Sequence, residues 1–416
     1  MSLFKKYVRM EHDCKENSMQ STTFLKRIRK IIDGDSAITI SIIALMAFGT
    51  LMVLSTEVGE TSTTAMVMLY NVFKQIIYWI LSFALIWLGS KLFTFRRFSF
   101  FYKPIGFALA FAMVLPFAFE ASGGSHAWIR LPFGFTIQPA EFLKIFIILS
   151  VANSIYRTKK KKKLEKNPSK MFASSRHFIM IFVIELLAQK DLGTMSILLV
   201  TYLVCLLIPD YPSMRKGQRK LIIYGFLILV ACVVFFGLSD IGTNALAKIP
   251  FLSHVATRIQ NMKNPFLDIY NEGYQPANSL YGIGSSNFFG RGIGNSMRKF
   301  GYLTQAENDY ILAVIVEECG VFGLAWIVFF YFVIIFRLFH YAFRTNELAY
   351  KIILVGIATY ISMHFVLNVG GVACLIPFTG VPLLFISNGG SSLFAICLSI
   401  GVAQSCIRRI RNKEMV

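Results

Sequence analysis

Asp191 is the acidic residue whose position most suggests chemistry. It lies in the short polar break 189–194, between the apolar runs 178–187 and 195–208. An ionised carboxylate at the edge of hydrocarbon costs several kcal/mol unless it is solvated or paired. A carboxylate kept there is available for proton transfer. The structural alternative is a helix-end cap or a partner for the neighbouring Lys190.

Glu141 and Lys144 form a second candidate group, three residues apart after Pro139. Proline suits the first turn of a helix, and the i,i+3 spacing places the two charges on one face. The pattern allows two interpretations. The pair is either a structural ion pair buried among helices or part of the lining of a polar cavity.

A glycine-rich stretch over 273–296 contains one arginine and is followed by further charged residues. Free backbone N–H groups in such a stretch can hold anionic oxygens, and arginine binds phosphate through two hydrogen bonds. Arg291, Arg298 and Lys299 therefore suit a phosphate-bearing substrate. Asp309 precedes an apolar run, where it can cap the helix. Glu317 and Glu318, inside that run, are expected to face a polar interior.

Composition indicates what must position these residues. The chain has 416 residues, of which 55% are hydrophobic and 15% charged. Apolar runs near 20 residues match a hydrocarbon core of about 30 Å, which predicts an all-α polytopic membrane protein. The seven cysteines show no paired spacing and indicate neither a disulfide framework nor a metal site. The first 36 residues lack a cleavable signal pattern, so the first span is expected to act as an uncleaved anchor.

About ten membrane helices in one bundle are predicted. The fifth and sixth could also be read as one long broken helix, but their combined length fits two crossings better. The predicted spans are 37–56, 68–90, 104–119, 140–156, 176–188, 192–209, 220–238, 309–337, 350–372 and 384–407.

The distribution of cations predicts the orientation. Most of the 42 Lys and Arg residues fall in alternate connections, and these are expected to be cytoplasmic. Both termini are then cytoplasmic, as basic tails over 1–36 and 408–416 that flank a membrane domain over 37–407. The long connection 239–308 and Asp191 are extracytoplasmic. The net charge of +20 needs no nucleic acid, because the lysine-rich run 157–170 suits lipid headgroups.

The order of these motifs resembles the SEDS family, the FtsW, RodA and SpoVE proteins of bacterial cell-wall synthesis. The resemblance runs from about residue 40 to 408. It rests on Gln138-Pro139 with Glu141 and Lys144, on 191–194, on 273–296, on Asp309, on Glu317-Glu318 and on the Pro- and Gly-rich segment 377–392. The stretch 290–296 is more similar to the division and sporulation members than to the elongation members.

The resemblance implies a peptidoglycan glycosyltransferase in the bacterial plasma membrane. Such enzymes polymerise lipid II, release undecaprenyl pyrophosphate and work with a class B penicillin-binding protein. The family's essential acid matches Asp191, either as the base or as the ligand of a divalent cation, Mg²⁺ or Mn²⁺. Arg291 and Lys299 are candidate phosphate contacts. Gln275, Asp309, Lys144 and Glu141 complete the predicted substrate-binding set.

Some positions depart from the family pattern. Lys190 stands where proline is usual, Thr304, Gln305 and Glu307 replace the usual Pro, Glu and His, and His364 replaces Gln. The departures leave two alternatives beside the polymerase. One is a lipid II flippase, which the absence of an obvious inverted repeat disfavours. The other is a catalytically silent scaffold of a cell-wall synthesis complex.

Overall fold

The helices follow the apolar runs closely. The computed structural model describes residues 34–59, 65–120, 125–131, 136–249 and 252–413. The predicted N-terminal tail therefore lies outside the described residues except for its last three. The helices are α1 Ser36–Glu57, α2 Ala65–Leu92, α3 Phe95–Val114, α4 Ala140–Lys160, α5 Ala173–Ala188, α6 Leu192–Leu207, α7 Arg215–Cys232, α8 Asp240–Ala247, α9 Ser253–Lys263, α10 Tyr274–Gly284, α11 Ile311–Arg344, α12 Leu348–Val372 and α13 Gly390–Arg411.

Shorter elements complete the chain. The pairing of β1 Ile129–Arg130 with β2 Thr136–Ile137 is antiparallel, with Ile129 opposite Ile137. Single turns of helix follow α3, α4 and α9. A π-helical turn, Val233–Leu238, continues α7.

Seven helices are long and apolar enough to cross a membrane: Ser36–Glu57, Ala65–Leu92, Phe95–Ala118, Arg215–Gly237, Ile311–Arg344, Leu348–Val372 and Gly390–Arg411. The chain is therefore a polytopic helical membrane protein. Each of the other three predicted spans also coincides with a helix, α4, α5 or α6. The predicted break between α5 and α6 is present, because Lys190 adopts a φ of 60° that ends α5.

Several predicted bounds differ from the structure. The third helix begins at Phe95 rather than 104, since Thr94 caps it by accepting the N–H of Arg97. Proline at position 104 is accommodated inside this helix. The connection predicted over 239–308 is not one irregular loop, because α8, α9 and α10 all lie in it. Secondary structure in this connection places side chains more rigidly than an irregular loop would.

Helices α4, α12 and α13 supply much of the buried core, whereas α7 has no buried residue. Helices α2 and α13 approach closely where Gly89 faces Gly401; a Cβ on Gly89 would lie 2.9 Å from the Leu398 carbonyl oxygen. Small residues at such crossings let helix backbones pack tightly inside a membrane.

Polar contacts mark the two ends of α1 and α11. At one end Asp35 caps α1 and pairs with Arg337 of α11. At the other end the Ser55 hydroxyl donates to Glu318, at 2.8 Å. Twenty residues separate Asp35 from Ser55, which is roughly 30 Å of helix and equals the hydrocarbon thickness. These contacts therefore define an Asp35 end and a Glu318 end of the membrane-spanning region.

Candidate functional site

Asp191 is the N-cap of α6. Its Oδ1 accepts the backbone N–H of Thr194 at 3.0 Å, and its Oδ2 accepts the side-chain amide of Gln138 at 2.7 Å. The structural alternative, a helix-end cap, is thus correct as far as it goes. The pairing with Lys190 is not seen among the described residues. A half-buried carboxylate still retains lone pairs after two hydrogen bonds, so the cap does not exclude a chemical role.

Asp309 does not cap α11, contrary to the prediction. The capping position belongs to Tyr310, which makes no side-chain hydrogen bond there. The backbone oxygen of Asp309 accepts the side-chain amide of Asn368 at 2.9 Å. Burial raises the pKa of its carboxyl to about 7, with the charge of Glu307 acting in the same direction and that of Arg258 opposing it. No hydrogen bond to this carboxylate comes from the described residues.

The short segment 379–381 approaches both the start of α6, just after Asp191, and the carboxylate of Asp309. Gly193, two residues after Asp191, packs against it so closely that a Cβ would lie 2.9 Å from the Thr379 carbonyl oxygen. A Cβ on Gly380, whose φ is +68°, would lie 3.4 Å from Oδ2 of Asp309. The segment belongs to the irregular backbone predicted between α12 and α13. It is held by the Asn368 side chain, which donates to the Val381 carbonyl at 2.9 Å.

A cavity of about 480 Å³ opens beside Tyr310, next to Asp309. Arg258 of α9 supplies its only arginine or lysine side chain among the described lining residues. Gln275, predicted to bind substrate, lies in the wall, where its amide contacts the Thr304 hydroxyl. The remaining lining residues are Asn261, Met262, Asn271, Glu272, Pro276, Gln305, Gly371, Cys374, Ile376 and Phe378.

Lys299 is not available to a substrate. Its ammonium is fully buried, 3.2 Å from Glu318, and donates to the Gly294 carbonyl at 2.6 Å. Glu318 also accepts the backbone N–H groups of Gly294 and Ser296. The interpretation of Lys299 as a phosphate contact is therefore corrected to a buried ion pair. The prediction that Glu318 faces a polar interior is confirmed.

Arg291 keeps about a third of its side chain exposed. Its Nε donates to the Ser285 carbonyl at 3.3 Å and lies 3.8 Å from Glu317. Arg298 is more constrained, because it donates to Asn278 at 2.8 Å and lies over two tyrosine rings. Neither arginine lines the cavity beside Tyr310.

Glu141 and Lys144 are buried together in the bundle. The Lys144 ammonium lies 2.7 Å from Glu141 and 2.8 Å from Nε2 of His364. Because Nδ1 of His364 lies 3.2 Å from the Pro382 carbonyl, it carries the proton and Nε2 accepts from the lysine. Both charged side chains are at most 2% exposed. The substrate-binding role predicted for this pair is corrected to the structural ion pair.

The residues fit a divalent cation only in part. The described residues contain no group of three His, Cys, Asp or Glu side chains that could hold a metal ion. Asp191 has free lone pairs, and Mg²⁺ in proteins is commonly held by one or two carboxylates together with substrate phosphates. A cation at this site would therefore need oxygen atoms from the substrate.

The candidate functional residues that the sequence analysis missed lie on α9. Arg258 and His254 are four residues apart and therefore share one helix face. Nε2 of His254 is buried without a partner among the described residues. Burial and the charges of Arg258 and Lys190 lower the pKa of its imidazole. The sequence could have indicated these residues, because Arg258 is a cation in a cation-poor connection and His254 precedes it by four residues, a spacing typical of one helix face.

Known proteins resemble the chain over nearly its whole length. The family model for FtsW, RodA and SpoVE, described as cell cycle proteins, matches residues 35–412. The probable peptidoglycan glycosyltransferase FtsW of Bacillus subtilis is 30% identical over 391 residues, covering 91% of this chain and 92% of its own. Stage V sporulation protein E of the same organism is 30% identical over 319 residues, covering 76% of this chain and 81% of its own.

A solved structure has the same fold. One of its chains superposes with a TM-score of 0.65 and 21% identity, covering 91% of this chain and 98% of that one. The structure is described as the coordination of polymerization and crosslinking by a peptidoglycan synthase complex. At this identity the likeness establishes the architecture of the bundle.

Proposed function

Because the chain belongs to the FtsW/RodA/SpoVE family of cell cycle proteins, we propose that it is a peptidoglycan glycosyltransferase serving cell division or sporulation. It polymerises lipid II into glycan strands and releases undecaprenyl pyrophosphate. The name of the B. subtilis FtsW, a probable peptidoglycan glycosyltransferase, supports this activity. A class B penicillin-binding protein is the proposed partner, supported by the likeness to a complex that couples polymerization and crosslinking.

The proposed orientation places the Asp35 end in the cytoplasm and the site in the outer leaflet of the plasma membrane. Ten helices, α1 to α7 and α11 to α13, then cross the bilayer, and the connection 239–308 lies outside. Three cations at the end of α13 support this orientation, because Arg408, Arg409 and Arg411 all donate to carbonyls near the Asp35 end. A lipid-linked substrate then meets the site at the membrane surface.

The observation that carries the proposal is segment 379–381, which approaches both the Asp309 carboxylate and the start of α6 just after Asp191, with the Arg258 cavity beginning at Tyr310. Glycosyl transfer forms a bond between an acceptor hydroxyl oxygen and the anomeric carbon, while the bond from that carbon to pyrophosphate breaks. The hydroxyl proton must pass to a base, and the leaving pyrophosphate needs positive charge. The site contains candidates for both requirements.

The resemblance matches the family's essential acid to Asp191, as the base or as the ligand of a cation; we assign proton acceptance to Asp309 instead. A base works best with a pKa near the operating pH, and burial raises the pKa of Asp309 to about 7. The oxygens of Asp191 already accept hydrogen bonds from Thr194 and Gln138. We assign Asp191 to orienting the acceptor or to holding a divalent cation against phosphate oxygens. Such a cation would add positive charge at the leaving group.

Arg258 is the proposed phosphate contact in the cavity, with Gln275 beside it. A guanidinium matches two phosphate oxygens and remains charged at any physiological pH. Arg291 is retained only as a peripheral cation, since it faces Ser285 and Glu317. The burial of Lys144 and Glu141 in an ion pair with each other leaves neither charge to line an open path, which favours the polymerase over a flippase.

Polymerisation by the purified protein and its penicillin-binding partner in liposomes, with lipid II as substrate, tests the proposal. Asp309→Asn and Asp191→Asn are both expected to abolish glycan synthesis. The matched control is Asp210→Asn, which removes an exposed acid that pairs with Arg215 at the opposite end. Wild-type protein that moves lipid II between leaflets without polymerising it would identify a flippase. Wild-type protein that does neither while binding its partner would identify a scaffold.

A further inference from the structure

The segment 288–300 carries more exposed apolar side chains than a water-facing loop tolerates. Phe288 is 59% exposed and Phe289 is 74% exposed, and Ile293, Met297 and Phe300 are each more than half exposed. A contiguous exposed apolar surface on a protein usually marks a membrane or partner interface. This surface lies on the same connection as the cavity residues of the proposed site.

The two phenylalanines pack on α11 rather than projecting freely. Phe288 and Phe289 each contact the ring of Phe322, with centroids 5.6 Å apart in both cases. The helix is broken beside them at Gly320, whose φ is +61°. The freed Val321 N–H donates to the Phe288 carbonyl at 3.1 Å, and the N–H of Arg291 donates to the Glu317 carbonyl at 2.9 Å.

These bonds also make the loop rigid relative to the membrane helix. A Cβ on Gly290 would overlap the backbone of Glu318, and a Cβ on Gly320 would overlap the backbone of Phe288. Irregular backbone at membrane depth is tolerated where protein satisfies its polar groups, as it does here. The depth of the Phe288–Phe289 pair in the membrane is therefore set by the depth of Phe322.

Phe322 lies within the hydrocarbon slab. It precedes Arg337 by fifteen residues, which is roughly 22 Å of helix. Because Arg337 marks the Asp35 end and the slab is about 30 Å thick, Phe322 sits in the opposite leaflet. Below it, Trp326, Phe329 and Phe332 are exposed along the same helix. The loop rings continue this membrane-facing surface.

We propose that the segment 288–300 is a membrane anchor, in which Phe288 and Phe289 insert among the acyl chains of the extracytoplasmic leaflet. The exposed third of the Arg291 side chain, two residues after Phe289, is then available to lipid phosphates, while its Nε donates to the Ser285 carbonyl. Phenylalanine below a cation is the arrangement expected at a membrane interface. A lipid surface fits better than a protein partner, because the rings continue the lipid-facing side of α11 and complete their own packing on Phe322.

The anchor would fix the depth of the proposed site. The inner side of the same segment is tied to Glu317 and Glu318, and Arg298 connects it to Asn278 of α10. Gln275, one turn earlier on α10, lines the cavity. A loop held by lipid thus keeps the cavity near the depth of phosphate groups. The anchoring itself does not depend on catalytic activity.

Tryptophan quenching in proteoliposomes tests the anchor. Phe289→Trp adds one tryptophan to the four of the natural chain, and the emission that it adds is obtained by subtracting wild-type emission. We expect phosphatidylcholine brominated at acyl carbons 6 and 7 to quench most of the added emission, and aqueous iodide to quench little of it. The matched control is Tyr270→Trp, at an 87% exposed position in the same connection. That variant should show the opposite response.

Added emission of Phe289→Trp that iodide quenches and brominated lipid does not would overturn the proposal. Added emission insensitive to both quenchers would also overturn it, and would indicate that another copy of the chain covers the surface. Phe288→Trp provides a second probe should the first variant fold poorly. Because no substrate is used, a failed polymerisation assay and a failed anchor are distinguishable.

Discussion

The guanidinium of Arg258 lies near enough to the carboxylate of Asp309 to oppose the rise in its pKa, yet the two form no ion pair in the described part of the chain. This separation leaves the carboxylate without a hydrogen-bond donor and leaves Arg258 in the cavity wall. A tight ion pair would have lowered the pKa of the carboxyl and occupied the guanidinium. The arrangement instead keeps the proposed proton acceptor and the proposed phosphate contact near each other.

Glycan polymerisation should therefore depend on pH through Asp309. The base must be ionised, and burial raises the pKa of this acid to about 7. We expect the initial rate of the wild-type protein to fall as the pH is lowered from 8 to 6, about tenfold per pH unit well below the pKa. A rate that is flat across this range, measured at saturating lipid II, would contradict the assignment.

The stability of the wild-type protein should show the reverse dependence on pH, and Asp309→Asn should lack it. A raised pKa means that the folded protein favours the protonated acid, so its contribution to stability is present at low pH and lost as the pH rises through about 7. The variant has no such loss. Its melting temperature relative to wild type, measured in the same detergent, should increase between pH 5 and pH 8. Equal differences at both values would count against a raised pKa for this carboxyl.

Arg258→Gln should alter both binding and the pH profile. Loss of the phosphate contact is expected to raise KM about tenfold, in line with a charged hydrogen bond worth roughly 1.5–3 kcal/mol. Loss of the neighbouring positive charge should also shift the acidic limb to higher pH. Arg258→Lys keeps the positive charge but lacks the planar guanidinium. It should therefore keep the acidic limb of the pH profile at the wild-type position and retain only part of the affinity for lipid II. An unchanged limb in Arg258→Gln would show that the two residues do not interact.

Two substitutions at Asp191 separate its cap from its chemistry. Asparagine is an equally good N-cap, so Asp191→Asn should melt near the wild-type temperature while losing polymerisation. Asp191→Ala should lose the cap as well, at a cost of about 1 kcal/mol. Thermal unfolding and polymerisation assays on both variants give this comparison. Full activity in Asp191→Asn would reduce the residue to its structural role.

The buried ion pairs should matter for folding rather than substrate binding. Lys299→Met leaves Glu318 buried without its cation, which is expected to cost about 3–5 kcal/mol. Lys299→Met with Glu318→Gln removes both charges and should recover much of that loss. Arg291→Gln, at a partly exposed position, should leave the melting temperature almost unchanged. Recovery of the double variant distinguishes a structural pair from a lost phosphate contact.

The sequence was sufficient for the helices and for the position of the acids along the chain. Long apolar runs interrupted by short polar breaks have few solutions in a bilayer, so the predicted spans and the break before Asp191 coincide with observed elements. The order of motifs also identified the family. The bound of α3 and the helices within 239–308 were missed, because amphipathic helices outside the hydrocarbon lack the apolar signal.

Only the tertiary structure decided which charges are available to a substrate. Lys299 was predicted to be a phosphate contact and Lys144 either a cavity-lining cation or a buried ion pair, yet both are buried by contacts that include Ser55 and His364, more than 200 residues away. Arg258 becomes a candidate only because α9 brings it near the carboxylate of Asp309. A local pattern reports the type and spacing of side chains. Whether a charge pairs with a buried partner or remains exposed in a cavity depends on contacts between distant segments. Those contacts exist only once the helices have packed.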